Sequence, residues 1–322
     1  MTEGAGMPHP FRFSAAMPRL TGPVAGWRAE LRRIEDLGFS AVAISDHFTR
    51  GWVMEPVVAM TAAADATTTL RVQSLVLGND YRHPVLLHKA MATLDVLSGG
   101  RVELGLGAGW MESDYAAADL PFDPPAVRVD RLAESVDVLT GLFAADPLTY
   151  HGKYYRITGL DGLPKPVQAP RPPLLIGGGG RRMLDLAGRV ADIAGINATM
   201  RPGVPTGSAL LDLTGDRVAA KIDTVRAAAR AAGRDPDQLR YQTSILSLRL
   251  TDVPGARPWT SSMAADVTDP AVLADSPAVL HGSVASCVDT LRRRREELGI
   301  DYIHFGGDPA AAAPIVARLA GT

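Results

Sequence analysis

Apolar positions along the chain alternate between short buried-type runs and stripes at helical spacing, and the alternation repeats eight times. Phe11 to Met17 reads as a strand, followed by Trp27, Leu31, Ile34 and Leu37 on a helix closed by Gly38. Ala41 to Ser45 is the second strand, and Glu55 to Thr67 places Val58, Ala62 and Ala66 on one helical face. Leu70 to Leu77 is the third; Pro84 then opens a helix whose stripe of Leu87, Met91, Leu94 and Leu97 ends at Gly99-Gly100. Arg101 to Leu106 pairs with the stripe Val129, Leu132, Val136 and Leu139, after a long Gly-, Asp- and Pro-containing connection. Asp146 to Pro172 is a turn-rich excursion. Leu174 to Ile176 runs into Gly177 to Gly180 and a helix carrying Met183, Leu184 and Ala187. Asp192 to Ile196 is the sixth strand, with its helix delayed to Asp216 to Ala232. Tyr241 to Leu250 is the seventh; a second excursion, Thr251 to Gly282, precedes a helix capped by Ser283 with Val284, Val288, Leu291 and Leu298 inward. Tyr302 to Phe305 and the Ala-rich Ala310 to Leu319 complete the eighth unit.

Eight βα units with no linker or composition break predict an α/β fold, a (β/α)8 TIM barrel with insertions after strands four, six and seven. The expected organisation is a disordered tail over residues 1–10 and one barrel domain over 11–322. Of the 322 residues 46% are hydrophobic and 21% charged, enough for a core and too apolar for a disordered chain. A net charge of -2 supplies no field for a polyphosphate backbone or an anionic membrane, so neither nucleic acid nor membrane is an expected partner. Cys287 is the only cysteine, which excludes an internal disulfide and a CxxC pair and suits a reducing compartment. The start carries Glu3 and no apolar segment, and no run approaches 18 apolar residues, so a cytoplasmic protein is expected.

In such barrels the catalytic face is built just after each strand. That rule nominates Ala16 and Met17, Asp46 and His47, Ser74 to Asn79 (Leu75 included), Gly107, Ala108, Gly109 and Trp110, Gly177 to Arg181, and Asn197. His47 beside Asp46 could exchange a proton near neutral pH, or the pair could cap the next segment. Gly177, Gly178, Gly179 and Gly180 let backbone amides approach an anion at a helix start, a phosphate being the natural guest, or form a plain tight turn. The run lies outside the expected core, so a β-branched residue at Gly178 or Gly179 is expected to cost binding rather than folding. It is no P-loop, and neither it nor Gly105 to Trp110 satisfies the dinucleotide fingerprint. Gly105 to Gly109 could admit a flat ring, or could reflect crowding. No metal-ligand spacing is present; His83 and His88 flank a helix start without a nearby carboxylate. Arg292 to Arg295 reads as a solvated helix face.

Together, Ser45-Asp-His-Phe48, the segment Leu75 to Pro84, Thr93 to Arg101 leading into Glu103 to Trp110, Lys165-Pro-Val-Gln168, and Leu175 to Gly180 resemble the luciferase-like monooxygenase superfamily, in its branch using the deazaflavin coenzyme F-420. The resemblance runs from about Phe11 to Ala320. It implies a TIM barrel, commonly a homodimer, with the cofactor ring in the barrel mouth against a non-prolyl cis peptide in strand three, which falls at Ser74-Leu75. It also implies a phosphate grip at the glycine run with Asn197 assisting, and Asp46 and His47 near the reactive carbon. The chain departs from the branch's sugar-phosphate dehydrogenases, which have a carboxylic acid where Trp110 stands and substrate-binding lysines with no match here. Trp52 and Trp110 therefore suggest a larger, more apolar substrate.

Three functions follow. The first is coenzyme F-420-dependent hydride transfer to or from a small organic molecule, with His47 or a water handling the proton. The second is an FMN-dependent monooxygenase fed by a separate reductase. The third is a barrel that binds a flavin without turnover.

Overall fold

The computed structural model describes residues 9–49, 51–200 and 206–322, so the expected tail lies, through residue 8, outside the described residues. In chain order the first elements are β1 (Arg12–Ala16), α1 (Val24–Asp36), β2 (Ala41–Ile44), α2 (Pro56–Ala66), β3 (Arg71–Ser74), β4 (Leu77–Gly78), α3 (Pro84–Ser98), β5 (Val102–Gly107), α4 (Glu112–Ala117) and α5 (Pro125–Phe143). There follow β6 (Leu148–His151), β7 (Arg156–Leu160), β8 (Leu174–Gly178), α6 (Arg181–Val190), β9 (Ile193–Ile196) and α7 (Gly215–Ala231). The last are β10 (Arg240–Ile245), β11 (Ser247–Leu250), β12 (Trp259–Thr260), α8 (Pro270–Asp275), β13 (Val279–Gly282), α9 (Val284–Leu298), β14 (Ile300–Phe305) and α10 (Pro309–Leu319). This is the element order of a (β/α)8 barrel with added pieces. The chain divides into two compact units, one of Met17–Arg32 and Val42–Gly177, the other of Met1–Ala16, Arg33–Ala41 and Gly178–Thr322.

In the 17–32/42–177 unit, β5 pairs in parallel with β3, β4 and β8, in registers such as Val72↔Val102, Leu77↔Leu106 and Leu106↔Ile176. β5 is buried along its whole length, and β3 and β8 are buried except at Arg71 and at Gly177 and Gly178, as parallel strands covered on both faces must be. Leu70 to Leu77 is not one strand: residues 75 and 76 leave the ladder as a bulge between β3 and β4. The non-prolyl cis peptide joins Leu75 to Val76, one residue beyond the expected Ser74-Leu75. Ser74 is kept in the ladder by its hydroxyl, which accepts from the Gly105 N–H at 2.7 Å and donates to the Gly105 carbonyl at 3.0 Å, so the irregularity begins after it. At the other end of these strands Arg71 and Gln73 donate to the buried Glu103 carboxylate, each at 2.8 Å. Arg71 also holds Gln168, and Gln168 binds the buried Asp95 of α3. The segments Thr93 to Glu103 and Lys165 to Gln168 are thus one hydrogen-bonded knot. The first excursion is a β6–β7 hairpin rather than irregular turns, with Tyr155 and Ile157 packed on Val138 and Leu142 of α5.

In the other unit β14 lies between β1 and β10, and β10 pairs with β9, all parallel. Alternate side chains face opposite ways. One set, including Phe13 and Phe305, stacks with Phe39 and Phe11 in an aromatic core. Tyr241 to Leu250 is two strands in two sheets, because Leu246 turns away: its N–H donates to the Ala278 carbonyl and its own carbonyl accepts from Ser261, each at 2.7 Å. Beyond it β11 joins β12 and β13 in a small sheet built from the second excursion. Ser283 caps α9 as expected, its hydroxyl accepting from the Ser286 N–H. Arg292 to Arg295 is not wholly solvated. Arg294 is buried, and its guanidinium donates to the carbonyls of Ser276, Pro277 and Val279.

Candidate active site

His47 stands just past β2, and its partner is not the neighbouring Asp46. Its Nδ1 lies 2.6 Å from Oδ2 of Asp114, whose side chain is fully buried on the short α4. The other carboxylate oxygen accepts from the N–H groups of Phe48 and Thr49 and from the Thr49 hydroxyl. Burial alone would raise the Asp114 pKa, but these hydrogen bonds and the one from His47 hold it below the usual carboxylate range. An ionised carboxylate only accepts, so Nδ1 carries the hydrogen and Nε2 of the neutral ring is left as the proton acceptor. Trp52 and Trp110 both meet the imidazole, with ring centroids 5.2 and 5.8 Å away. His47, Trp52 and Trp110 are therefore together, and the partner that orients His47 is one the sequence did not single out. Asp114 belongs to a six-residue helix, too short to announce itself by periodicity.

Asp46 has a different task. Buried at 3% exposure, it accepts from Arg82 at 2.5 Å and from the Gly78 N–H at 3.1 Å. Arg82 is shared with Glu55, which also caps α2 through the Val58 N–H. Asp46 thus ties the end of β2 to β4 and is not the residue that fixes the tautomer of His47. Met17 follows β1, buried, with its N–H on the Ala43 carbonyl. Asn79 is buried beside Asp80, and its Oδ1 accepts no hydrogen bond.

The turn Gly107-Ala108-Gly109 is held from outside by Arg128 of α5. Its guanidinium donates to the Ala108 and Gly109 carbonyls and lies 4.0 Å over the Phe122 ring. Gly109 has φ +76°, and a Cβ there would fall 1.9 Å from the Tyr115 hydroxyl, so both backbone and packing demand glycine. Val76, from the bulge, fills the space a side chain on Gly107 or Gly177 would need. Crowding by the protein itself thus accounts for these glycines.

In the 178–322 part of the other unit, Gly177 and Gly178 end β8 rather than opening a loop, and Gly180 is the N-cap of the ten-residue α6. No side chain caps that helix, and Arg181 and Arg182 are exposed in its first turn. A Cβ on Gly179 would lie 2.2 Å from the Asn197 carbonyl oxygen and 2.5 Å from the Ala198 carbonyl carbon. The expectation that a β-branched residue at Gly179 leaves folding intact is therefore corrected, because backbone cannot step aside as a flexible side chain can. Asn197 is exposed, and its Oδ1 accepts from the Ala198 N–H. Its carbonyl is held by buried Lys221 of α7, which also pairs with Asp212 at 2.7 Å. Asp212 in turn accepts from Thr199, and its pKa is held far below normal by these bonds despite burial. An uncapped helix start with two guanidinium groups nearby and a pinned polar loop fits an anion such as a phosphate.

Among the described residues no three or more His, Cys, Asp or Glu side chains are grouped to hold a metal ion, and no helix is long and apolar enough to cross a membrane.

Known proteins place these features. A curated FMNH2-dependent dimethylsulfone monooxygenase of Pseudomonas putida is 28% identical over 244 residues, 70% of this chain and 63% of its own length. The F-420-dependent hydroxymycolic acid dehydrogenase of Mycobacterium tuberculosis is 30% identical over 235 residues, 71% of this chain and 60% of its own. The F-420-dependent glucose-6-phosphate dehydrogenase of Amycolatopsis mediterranei is 30% identical over 166 residues, 50% of this chain and 49% of its own. The chain thus spans from 49% to 63% of the length of these relatives. Among solved structures, an F-420-dependent secondary alcohol dehydrogenase with an F-420–acetone adduct superposes with a TM-score of 0.75 at 18% identity, covering 96% of this chain and 98% of that one. The coenzyme F-420-dependent tetrahydromethanopterin reductase of Methanopyrus kandleri gives 0.74 at 18% identity, covering 98% and 99%. The fold is accordingly the (β/α)8 barrel that the eight repeats predict. With the luciferase-like monooxygenase model matching residues 6–248, the chain belongs to the luciferase-like monooxygenase family.

Proposed function

We propose that this chain is a coenzyme F-420-dependent oxidoreductase that moves a hydride to or from a small, largely apolar organic substrate. The observation that carries the reading is the His47–Asp114 pair flanked by Trp52 and Trp110. Hydride transfer at a carbonyl or carbinol carbon requires a proton to reach or leave the oxygen, and an imidazole with Nδ1 fixed by a buried carboxylate offers Nε2 for that exchange. Asp114 orients the ring; the two indoles exclude water and favour an apolar substrate. The bound deazaflavin supplies the hydride chemistry and, lacking a flavin's N5, does not readily activate oxygen. Gly178, Gly179, Gly180, Arg181 and Asn197 are assigned to its phosphate. The two F-420-dependent relatives and the alcohol dehydrogenase fold neighbour support the choice. A cytoplasmic homodimer goes with the reading.

The Pseudomonas putida relative favours a second reading, in which reduced FMN and oxygen are used. Fluorescence titration of the purified chain with each cofactor separates the two. F-420 binding tighter than FMN by about tenfold, about 1.4 kcal/mol, is expected; equal or tighter FMN binding overturns the assignment.

A further inference from the structure

Thr49 lies two residues past His47, and its side chain reaches the buried carboxylate that orients the imidazole. The hydroxyl is 2.6 Å from Asp114 Oδ1, 3.2 Å from Ser113 Oγ and 3.6 Å from Met111 Sδ. Its single hydrogen can serve one of these contacts. The hydrogen bonds around Asp114 hold its pKa below the usual carboxylate range despite burial, so the group is ionised at neutral pH and can only accept. Two oxygens 2.6 Å apart, one of them without a hydrogen, leave the threonine as the donor. Ser113 must then donate to the threonine oxygen, and the thioether, a weak acceptor, goes without.

The two carboxylate oxygens are thus loaded unequally. Oδ1 takes the Thr49 hydroxyl and the N–H groups of Phe48 and Thr49, the latter two at 3.2 and 3.0 Å, while His47 Nδ1 is on Oδ2 at 2.6 Å. Donors on Oδ1 draw the carboxylate's charge towards that oxygen and away from the one that meets the imidazole. The backbone donors are fixed by the chain, so the hydroxyl is the donor on Oδ1 that a substitution can remove. The other titratable groups at this corner are Asp46, paired with Arg82, which also holds Glu55; Asp80, paired with Arg131; and the Tyr81 hydroxyl, which faces Asp46, Asp80 and Asp114. Asp114 is the carboxylate in direct contact with the ring, whose other neighbours, Trp52 and Trp110, are uncharged.

We propose that Thr49 is a positioning residue for proton exchange at His47: its hydroxyl holds part of the Asp114 charge on Oδ1, weakens the pull of Oδ2 on the protonated ring, and so sets how readily that ring releases its proton. The proposal rests on the reading of His47 as the proton-exchanging group. Without the hydroxyl, Oδ2 carries more charge, the Nδ1–H of the protonated ring is held more tightly, and the Nε2 proton leaves at higher pH.

The test follows His47 in the full chain, labelled with 15N-histidine and free of cofactor, by its ring-nitrogen shifts from about pH 5 to about pH 9. Thr49→Val keeps a similar side-chain shape and both backbone N–H groups while removing the donor. It should raise the His47 titration midpoint by about half a pH unit, which is about a threefold tighter hold on the proton. Thr49→Ser restores the donor and should return the midpoint to that of the parent chain, a rescue that packing of the lost methyl group would not give. Should Thr49→Val not fold, Thr49→Ala is read in the same way against the serine variant. A midpoint equal to or below the parent's in the donor-free variant, or a serine variant that moves as far, overturns the proposal. Because neither cofactor nor substrate enters the measurement, tighter FMN binding would strike the proposed function and leave this result standing, and an unmoved midpoint would leave the F-420 assignment standing.

Discussion

His47 and His304 both stand near or just past the end of a barrel strand, yet one meets a carboxylate and the other an uncharged hydroxyl. In one unit a buried carboxylate takes the Nδ1 hydrogen of His47, leaving Nε2 as a lone pair that can accept a proton. In the other, Nδ1 of His304 meets the uncharged hydroxyl of Ser14 at 3.0 Å, and burial pushes the ring's pKa down to about 4. The carboxylate fixes the orientation of one ring, whereas burial keeps the other from taking up a proton. Residue type alone therefore says little; the partner and the burial of the ring decide.

The largest effect that could break this contrast is on turnover. General acid–base assistance is worth about 10²–10⁴-fold, so His47→Ala should lose rate by that order once a substrate is in hand. Asp114→Asn should come close to it, because the amide can donate to Nδ1 and favour the wrong tautomer. A variant of either kind that retains full rate per folded molecule would reduce the pair to a structural tie. Melting temperature measured on the same preparation tells the two apart.

Next comes Gly179→Val, which probes whether the start of α6 in the His304 unit binds an anion through its backbone. It should weaken cofactor binding by about tenfold or more and also lower the melting temperature, since the new side chain meets the backbone of residues 197–198. Normal stability with normal affinity would show the run to be a plain turn.

Acid stability sharpens the contrast most finely. Burial brings both His304 and His88 down to about 4 from the ordinary 6.5. The unfolded chain takes up these protons first, so their contribution to stability is fully present above about pH 6.5 and is lost as pH falls towards 4. Denaturant midpoints across that window should fall, and His88→Leu should flatten part of the slope if it folds. A flat profile in the parent chain would contradict the buried, neutral setting of both rings.

Much of this molecule was written in its periodicity. Eight strand–helix repeats, the Pro84 and Gly99 boundaries of α3 and the Ser283 cap are local signals, and the structure reproduces them. His47 and Trp110 are legible because the barrel rule needs only strand ends, and each lies three residues beyond one; Trp52 enters only through the family resemblance. What could not be read was partnership across the sequence: Asp114 is 67 residues from His47, and Asp46 looked like its partner only because it is adjacent. The division of Tyr241 to Leu250 into two strands was hidden for the same reason, since Leu246 is turned by residues 261 and 278. Arg294, one of four consecutive arginines, gave no sign that it is the one that is buried.

That inward arginine has a use in engineering. Arg294 grips Ser276, Pro277 and Val279 by their carbonyl oxygens, which every amino acid provides. The stretch 262–275 ahead of them is consequently anchored at its downstream end by a contact indifferent to side-chain identity. A segment spliced in there would keep this clasp if the 276–279 backbone and the α9 arginine are retained, but it would have to replace the buried Ala264 and Val267 and the Asp275 bond to the Gly215 N–H.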